Sequence, residues 1–392
     1  MRTIGVVTTS RADYGACRPV LQAIQSDSDL RLSLFVSGMH LSPGFGFTVG
    51  AIEADGFEIA ERVEVLLSSD TPEAIGKSMG LGLIGFAQVF NRRHPDILVV
   101  VGDRFEMFAA ALAAVPFNIP IAHMGGGDVT VGAIDDALRH SLTKLCHLHF
   151  ASTEEYARRI IQMGEEPWRV CVSGEPNLDS LAAMRLLTRE ELETKNQFRL
   201  SEPFLLVTYH PVTLQYRESG WQIDQLLSAL QECGMPVIFT MPNADTANQP
   251  IRKRINQFVG THPSAWSVES LGLESYLSMM ALAAAIVGNS SSGILEAASF
   301  NLPAVNIGIR QTGRVRARNV IDVGNGSDEI LGGIKRATDR KFRDSLPGLT
   351  NPYATGCAVS RILDKLKSVE INERLLQKRF YDFASPVQMA TP

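Results

Sequence analysis

Cysteine is scarce in this 392-residue chain: it has five, and no two of them form a Cys-x-x-Cys pair. They are scattered at positions 17, 146, 171, 233 and 357, and their number is odd. This pattern excludes a disulfide framework and a cysteine-rich zinc site, and it indicates reduced thiols.

Long apolar runs are also missing. The longest ones, residues 107–117 and 279–288, are too short to cross a bilayer. Residues 1–9 lead directly into a strand and lack the apolar core of a signal peptide. We therefore expect a cytoplasmic protein with no membrane partner.

An excess of positive charge is absent as well. The formal net charge is −5 and the pI is about 5.9, which argues against a nucleic-acid partner. The loop at residues 9–15 has neither the P-loop spacing nor Gly-x-Gly-x-x-Gly. His147 and His149 form a His-x-His pair, but no third ligand lies at a convincing spacing. We predict no cofactor and no metal.

The length and the periodicity of the chain predict its architecture. Hydrophobic residues make up 45% of the 392 positions, which suits two domains of roughly 150–200 residues each. Strands and helices alternate in both halves, as in doubly wound sheets. The predicted fold class is α/β, with two Rossmann-like domains facing each other across a cleft. We expect an N-terminal domain at 1–175, a C-terminal domain at 176–369, and a helix within 370–392 that packs back on the first domain.

Individual elements follow from the same patterns. Strands are predicted at residues 3–8, 32–36, 97–101, 119–123, 147–149, 170–173, 204–210, 236–240, 284–288, 304–307 and 320–323. Helices are predicted at 105–115, 133–145, 153–163 and 370–383, with Thr153 as an N-cap and an exposed helix and linker at 185–199.

Charged and polar residues follow the predicted strands where a doubly wound sheet places its ligands, just past the carboxyl ends. In the first half these are Asp103, Arg104, His123, Asp128 and Asp135. Acids there can act as general bases, but Asp135 or Asp136 taken individually suits a helix N-cap better than a base. Four histidines, at 40, 123, 140 and 210, lie at or near predicted strand or helix ends. A single histidine is usually a satisfied polar residue, whereas four on one cleft would be unusual.

The segment Ser290-Ser-Ser-Gly-Ile-Leu-Glu296 has the layout of a phosphate site. A helix N-terminus offers free N–H groups, and serine hydroxyls add donors. Glu296 could accept the hydroxyls of a ribose, as acids do in nucleotide-binding folds. The alternative is a serine-rich N-cap with a capping glutamate. Arg11 and the segment 310–314 are further candidates for neutralising a diphosphate.

Taken together, these segments resemble the UDP-N-acetylglucosamine 2-epimerase family, in particular its hydrolysing branch used in sialic acid biosynthesis. Residues 66–82 also resemble members from bacterial nonulosonate pathways such as that of legionaminic acid. The matching motifs are SRADYG at 10–15, SGMHLSPGFG at 37–46, GDRFEM at 102–107, GAIDDALRHSLTK at 132–144, HLHFASTEEYARRI at 147–160, YHP at 209–211, MPNAD at 241–245, GNSSSGILEA at 288–297 and IRQTGR at 309–314.

The resemblance implies the two-domain GT-B arrangement, a homodimer or homotetramer, and conversion of UDP-GlcNAc and water to N-acetylmannosamine and UDP. It implies an anti elimination of UDP to a glycal, followed by syn addition of water. Asp103 and Asp135 match the acid/base positions, with His40, Arg104 and His210 in support. The motifs assign substrate or UDP binding to Arg11, Asp13, His123, Arg139, His140, Asn243, Ser290, Ser291, Ser292, Glu296 and Arg310.

One departure from the family pattern concerns a glutamate that members commonly carry two residues after the histidine of the HxEGG stretch. Here that position is Gly125. Either Asp128 supplies the missing carboxylate, or the chemistry is redistributed, or the lost acid leaves space for a bulkier 2,4-diacetamido-2,4,6-trideoxy sugar, with Met39, Phe45 and Phe47 suited to its methyl group. The competing interpretations are a GT-B glycosyltransferase, a non-hydrolysing 2-epimerase that would return a UDP-linked product, and a non-catalytic sugar-nucleotide sensor.

Overall fold

Two parallel sheets packed against helices make up the computed structural model, which describes residues 1–181, 184–201 and 203–382. The first sheet has seven strands in the order β3-β2-β1-β4-β5-β6-β7. They are β1 (Arg2–Thr8), β2 (Leu30–Ser37), β3 (Ile59–Val63), β4 (Ile97–Val101), β5 (Ile121–Met124), β6 (Leu148–Ala151) and β7 (Val170–Val172).

The second sheet has six strands in the order β10-β9-β8-β11-β12-β13. They are β8 (Leu205–Thr208), β9 (Val237–Thr240), β10 (Ala265–Val268), β11 (Ala285–Gly288), β12 (Ala304–Ile307) and β13 (Val320–Val323). Both sheets therefore contain the Rossmann strand order, and the predicted α/β fold with two facing domains is confirmed.

Sixteen α-helices connect and cover these strands within the described residues. They are α1 (Arg11–Ser26), α2 (Val49–Ala54), α3 (Pro72–Arg92), α4 (Phe105–Ala114), α5 (Asp135–Leu145), α6 (Glu154–Gln162), α7 (Pro176–Leu181), α8 (Arg189–Asn196), α9 (Ser219–Cys233), α10 (Asn248–Thr261), α11 (Gly272–Leu282), α12 (Ser292–Leu295), α13 (Ser327–Thr338), α14 (Arg340–Asp344), α15 (Ala358–Ser368) and α16 (Glu373–Leu376).

The local predictions are mostly confirmed. Thr153 is the N-cap of α6, since its side chain accepts a hydrogen bond from the backbone N–H of Tyr156. The exposed helix at 185–199 is α8, which Thr188 and Glu191 begin with a capping box. The predicted helix at 370–383 is wrong in extent: only α16 is helical there, and Phe383 lies outside the described residues.

The C-terminal part of the chain returns to the first domain. Ile362 and Leu366 of α15, together with Val369 and Leu375, are buried in the core that β1, β2, β4 and β5 form. Arg2 donates to the carbonyl of Leu366, and Lys367 pairs with Asp27. This packing begins at α15, ahead of the segment 370–392. The domain boundaries at 175 and 369 stay predictions.

The strand order places two switch points opposite each other. In the first sheet the order reverses between β1 and β4, and in the second between β8 and β11. Loops that leave neighbouring strands at a switch point diverge and open a crevice beyond the strand ends. The first crevice lies between the loops at 9–10 and 102–104, and the second between those at 209–212 and 289–291.

Candidate active site

A cleft between the two sheets contains roughly 1050 Å³ of space that protein atoms do not fill, part of it open to solvent. Nine of the residues predicted from the sequence line it: Asp13, Asp103, Arg104, Asp128, Asp135, Arg139, Asn243, Ser291 and Arg310.

Asp103 lies just past β4 and forms an ion pair with Arg139 of α5. The Asp103 side chain is 23% exposed, whereas Arg139 is fully buried. Arg139 also donates to the carbonyl of Asp128 and to the hydroxyl of Thr130. The arginine therefore holds Asp103 at the cleft surface while bracing the loop that follows β5.

Arg104 joins the two domains. Its guanidinium contacts Glu106 at 3.2 Å and Asp245, from the loop after β9, at 2.9 Å. Burial alone would lower the pKa of Arg104, but the charges of Glu106, Asp245 and Asp135 outweigh burial and raise it. Arg104 is thus a permanently charged group in the floor of the cleft.

Asp135 begins α5 and forms no ion pair within the described part of the chain. Burial raises its pKa, and the negative charge of Asp245 adds to the effect. For Asp245 the balance is opposite: burial would raise its pKa, but Arg104 and Arg310 lower it. Two neighbouring carboxyls whose pKa values are driven apart can hold a proton and a charge side by side, as acid–base chemistry requires.

Asp128 pairs across the domain boundary with Arg314 at 2.7 Å and accepts a hydrogen bond from its neighbour Val129. Burial raises the pKa of Asp128, although Arg314 opposes the shift. The acid that is expected to replace the family glutamate is therefore present in the cleft, but it is tied to the second domain.

The loop after β1 is organised by Asp13. Its carboxylate accepts hydrogen bonds from the hydroxyls of Thr8, Thr9 and Ser10 and from the N–H of Thr9. His40 is buried behind this loop, between the hydroxyls of Thr8 and Thr48. Burial lowers the pKa of His40. These contacts give both residues a positioning role in this structure.

Two further histidines are buried and neutral. Burial lowers the pKa of His123 to about 4 and that of His210 to about 3. His123 Nε2 donates to the carbonyl of Gly102, 2.7 Å away, and so fixes the turn that carries Asp103. His210 Nδ1 accepts from the N–H of Asn243, which places the proton on Nε2.

The glycines at 125–127 let the chain turn tightly after His123. Gly125 and Gly127 have positive φ values of 86° and 77°. A Cβ on Gly126 would lie 3.1 Å from the His123 ring, and one on Gly127 would lie 2.3 Å from the carbonyl oxygen of Tyr156. At Gly125 a Cβ would lie 3.7 Å from the nearest atoms, those of Gly102, which is ordinary van der Waals contact, but the positive φ strains any other residue there.

In the second domain, the loop after β11 leads into α12 with Ser291 at the cleft. Arg310 also lines the cleft and donates to the carbonyl of Asn289. Glu296 ends α12 and accepts a hydrogen bond from Asn177 at 2.8 Å. Burial and the nearby carboxylate of Glu175 raise the pKa of Glu296 to about 7.

Other predicted residues lie outside the cleft lining. Arg11 donates to the Met241 carbonyl across the domain boundary, and His140 faces Asp136. Ser290 and Ser292 flank Ser291 along the chain. The binding roles of these residues stay predictions.

The suggestion that Met39, Phe45 and Phe47 surround a sugar methyl is not supported. Met39 is fully buried, Phe45 lies against Arg252, and Phe47 is exposed. The apolar residues that do line the cleft include Val101, Met124 and Phe150 at the ends of β4, β5 and β6.

Sequence reasoning missed several cleft residues. Glu175 and Ser152, which bond each other, follow β7 and β6. Their only sequence signal was a position after a short strand, and Glu175 fell at the predicted domain boundary.

A Gly-x-Gly-x-x-Gly spacing at 80–85 lies inside α3, where Gly82 and Gly85 make room for Ala109 and Val63.

The His-x-His pair is used structurally. His147 accepts from the N–H of Ile121, and His149 bonds Glu165 at 3.1 Å. Within the described ranges, no cluster of three or more potential metal ligands is found.

Over the same ranges, no helix combines the length and apolar character needed to cross a membrane.

Comparison with known proteins shows the family of the chain. The family model described as UDP-N-acetylglucosamine 2-epimerase matches residues 22–367. The chain belongs to this family. The resemblance inferred from the motifs is thereby confirmed, and so is the assignment as an enzyme of the 2-epimerase type.

Named relatives extend this result. A Legionella pneumophila protein named UDP-N,N'-diacetylbacillosamine 2-epimerase (hydrolyzing) is 36% identical over 379 residues, which cover 96% of this chain and 99% of the relative. A Campylobacter jejuni GDP/UDP-N,N'-diacetylbacillosamine 2-epimerase (hydrolyzing) is 36% identical over 384 residues, covering 97% and 99%.

Among solved structures, UDP-GlcNAc 2-epimerase from Neisseria meningitidis bound to UDP-GlcNAc has a TM-score of 0.80 at 18% identity, covering 94% of this chain and 100% of that one. At this identity the structural likeness shows the shared 2-epimerase fold.

Proposed function

We propose that this 2-epimerase family member is a hydrolysing enzyme that converts a UDP-2-acetamido sugar and water to the free 2-epimeric sugar and UDP. The observation that carries the proposal is the cleft itself. It places Asp103, Asp128 and Asp135 of the first domain opposite Ser291 and Arg310 of the second. Carboxylates can move protons on the sugar, while hydroxyls and a guanidinium can receive the diphosphate.

The reaction proceeds in two balanced steps. A carboxylate takes the proton from C2, the C2–H electron pair forms the C1=C2 bond, and the C1–O bond breaks to release UDP. A water oxygen then bonds to C1, its proton passes to a protein carboxylate, and C2 receives a proton on its opposite face. The sum is one water consumed and one UDP released.

The contacts in the cleft suggest how the roles divide. Asp103, held by Arg139, is our candidate for the base that takes the C2 proton. Asp135, whose pKa is raised by burial and by Asp245, is the candidate for the group that holds and returns a proton. Arg104 keeps its charge beside both and stabilises the negative charge that develops as UDP leaves.

We further propose a 2,4-diacetamido-2,4,6-trideoxy sugar as the preferred substrate, with UDP-GlcNAc as the alternative. Gly125 leaves room beside Gly102 where a family glutamate would stand, and Val101, Met124 and Phe150 give this part of the cleft an apolar wall. Two relatives at 36% identity carry names that specify the diacetamido sugar, and a third at 36% is named for polysialic acid biosynthesis. We include three further points in this proposal. The free sugar supplies sialic or legionaminic acid synthesis, the protein is cytoplasmic, and it forms a homodimer or homotetramer.

Product analysis tests this function. The purified protein is incubated with UDP-GlcNAc or its diacetamido analogue, with EDTA and without any acceptor sugar, and the products are followed by NMR. We expect free UDP and a free reducing sugar, formed faster from the diacetamido substrate. A requirement for an acceptor would indicate a glycosyltransferase, and binding without turnover would indicate a sensor. Activity that EDTA abolishes and a divalent ion restores would contradict the metal-free mechanism.

A further inference from the structure

The loop between β3 and α3 caps one helix in each domain. Thr71 is the N-cap of α3, since its side chain accepts a hydrogen bond from the N–H of Ala74. The residue before it, Asp70, accepts through Oδ2 from the N–H of Gln249, 2.9 Å away in the first turn of α10. This helix belongs to the second domain, and its own N-cap residue, Ala247, provides no side-chain cap. Asp70 therefore supplies, from the first domain, the cap that α10 lacks.

A carboxylate suits this position, and the backbone of Asp70 adds a second contact. The N-terminus of the 14-residue helix α10 combines free N–H groups with the positive end of the helix dipole. The carbonyl of Asp70 also accepts from the N–H of Ala247 at 3.2 Å. Ala247 has a φ of 63°, a left-handed conformation that a residue other than glycine adopts with strain. The first domain thus holds the strained turn with which α10 begins.

The segment that ends at this turn carries residues of the active site. It is the loop between β9 and α10, residues 241–247. Asn243 of this loop lines the cleft, and Asp245 pairs with Arg104 at 2.9 Å. The loop is anchored at its start by β9 and at its end by Asp70. The position of Asn243 and Asp245 therefore depends on a contact from the other domain.

Asp70 lies at the end of the cleft where no covalent link joins the domains within the described residues. The link at the other end follows β7, where Glu175 donates its N–H to the carbonyl of Tyr353 on the returning chain, at 3.0 Å. Asp70 follows β3, and β3 and β7 are the opposite edges of the first sheet. An opening motion about the covalent link would separate the domains most at the β3 edge. Arg252 of α10 adds a weaker contact there, to the carbonyl of Gly44 at 3.4 Å.

We propose that Asp70 is a positioning residue, which caps α10 across the domain boundary and thereby holds the cleft closed with residues 241–247 in place for the substrate. This inference rests on the proposed function. It also gives a role to part of the segment 66–82, which the active site leaves unexplained. Loss of the cap shifts the molecule towards an open arrangement, and a bound UDP-sugar, which contacts both domains, shifts it back.

Three substitutions of Asp70 test the inference in the full chain. Asp70→Asn keeps a capping group, Asp70→Ala removes it, and Asp70→Lys places a cation at the positive end of the dipole. We expect UDP affinity, measured by calorimetry, and kcat/KM for the UDP-sugar to fall ~3- to 10-fold in Asp70→Ala and further in Asp70→Lys. Asp70→Asn should stay within about twofold of the wild type. At saturating substrate kcat should fall less than kcat/KM, because bound substrate itself holds the cleft closed.

A matched control and a measurement of shape separate closure from the stability of α10. Asp224→Asn removes the partner of Arg254, 2.7 Å away, an ion pair between α9 and α10 inside the second domain. It should leave UDP affinity and kcat/KM unchanged. Small-angle X-ray scattering should give unliganded Asp70→Lys a larger radius of gyration than the wild type, and UDP should remove the difference.

Wild-type affinity and kcat/KM in both Asp70→Ala and Asp70→Lys would overturn the inference. So would an equal loss in Asp224→Asn, an unchanged radius of gyration in Asp70→Lys, or a fall in kcat as large as that in kcat/KM. In each of these cases UDP binding by the wild type, and with it the proposed function, stands. Wild-type protein that is folded but fails to bind UDP would instead overturn the proposed function.

Discussion

Asp103 and Asp136 offer a matched comparison at the scale of single residues, because both carboxylates contact the guanidinium of Arg139. Only Asp103 lines the cleft. We expect Asp103→Asn to lower kcat by ~100-fold or more, the scale of a lost general base, with the Kd for UDP changed only a few-fold. Asp136→Asn removes the other partner of the same arginine and should retain most of kcat.

Steady-state kinetics with UDP titration of both variants provide the check. If Asp103→Asn and Asp136→Asn lower kcat equally, turnover depends on the ion pairing of Arg139 and not on the Asp103 carboxylate itself. A parallel loss of UDP affinity in Asp103→Asn would make Asp103 a structural residue.

Glu296 predicts a pH dependence for nucleotide binding. Its pKa is raised to about 7 in the unliganded protein, so it is largely protonated below pH 7 and ionised above. Hydroxyl donors favour the ionised form, so UDP affinity should rise as pH increases from 6 to 8 and then level off. The UDP phosphate also titrates near pH 6. The contribution of Glu296 is therefore measured as the difference between the pH dependence of UDP affinity in the wild type and that in Glu296→Gln. Identical pH profiles for the two proteins would refute a role for the Glu296 carboxylate.

At the scale of elements, the sequence predicted eleven strands, each around a short apolar run, and missed two. Residues 97–101 are all buried in β4, as their β-branched run indicated. β3, with Glu61 and Arg62, and β10 lie at the outer edges of the two sheets, where burial on both faces is not required. Their patterns therefore lack the signal that identified the central strands.

In the turn after β5, replacing the family glutamate by Gly125 affects the backbone conformation as well as the side chain. Gly125 has a φ of 86°, which an L-residue adopts only with strain. We expect Gly125→Ala and Gly125→Glu to lower stability by a similar amount, ~1 kcal/mol or more. If the glycine admits a 4-acetamido group, the glutamate alone should reduce kcat/KM for the diacetamido substrate more than for UDP-GlcNAc. If Gly125→Ala and Gly125→Glu show the same change in the ratio of kcat/KM for the two substrates, the cause is the strained backbone and not the glutamate side chain.

At the scale of the whole molecule, the docking of the domains brings together residues that no local pattern connects. Asp245 reaches Arg104, and Arg314 reaches Asp128, each across the boundary. Gly132 allows this approach, since a Cβ there would lie 2.8 Å from the Cα of Arg310. Asp103 and Asp135 could be predicted from positions beside strands and helices. The partners that tune them depend on how two separate sheets meet, which periodicity does not encode.

The pair Asp128–Arg314 predicts a stability effect of this docking. Arg314 is 8% exposed, so Asp128→Asn leaves a buried charge without its partner. We expect a loss of ~3–5 kcal/mol in the free energy of unfolding, partly recovered when Arg314→Gln is added. Denaturant unfolding of the two single variants and the double variant measures this. Purely additive losses would show that the two side chains do not interact across the boundary in solution.

The central claim is elimination and hydration at C1 and C2 of a UDP-sugar in this cleft, and turnover in D2O tests it most directly. With UDP-GlcNAc or its diacetamido analogue and no acceptor, proton NMR should show free UDP and a free 2-epimeric sugar carrying deuterium at C2. A free sugar that keeps its original C2 proton and configuration would mean simple hydrolysis, and a product still linked to UDP would mean a non-hydrolysing epimerase. Either result would contradict the account.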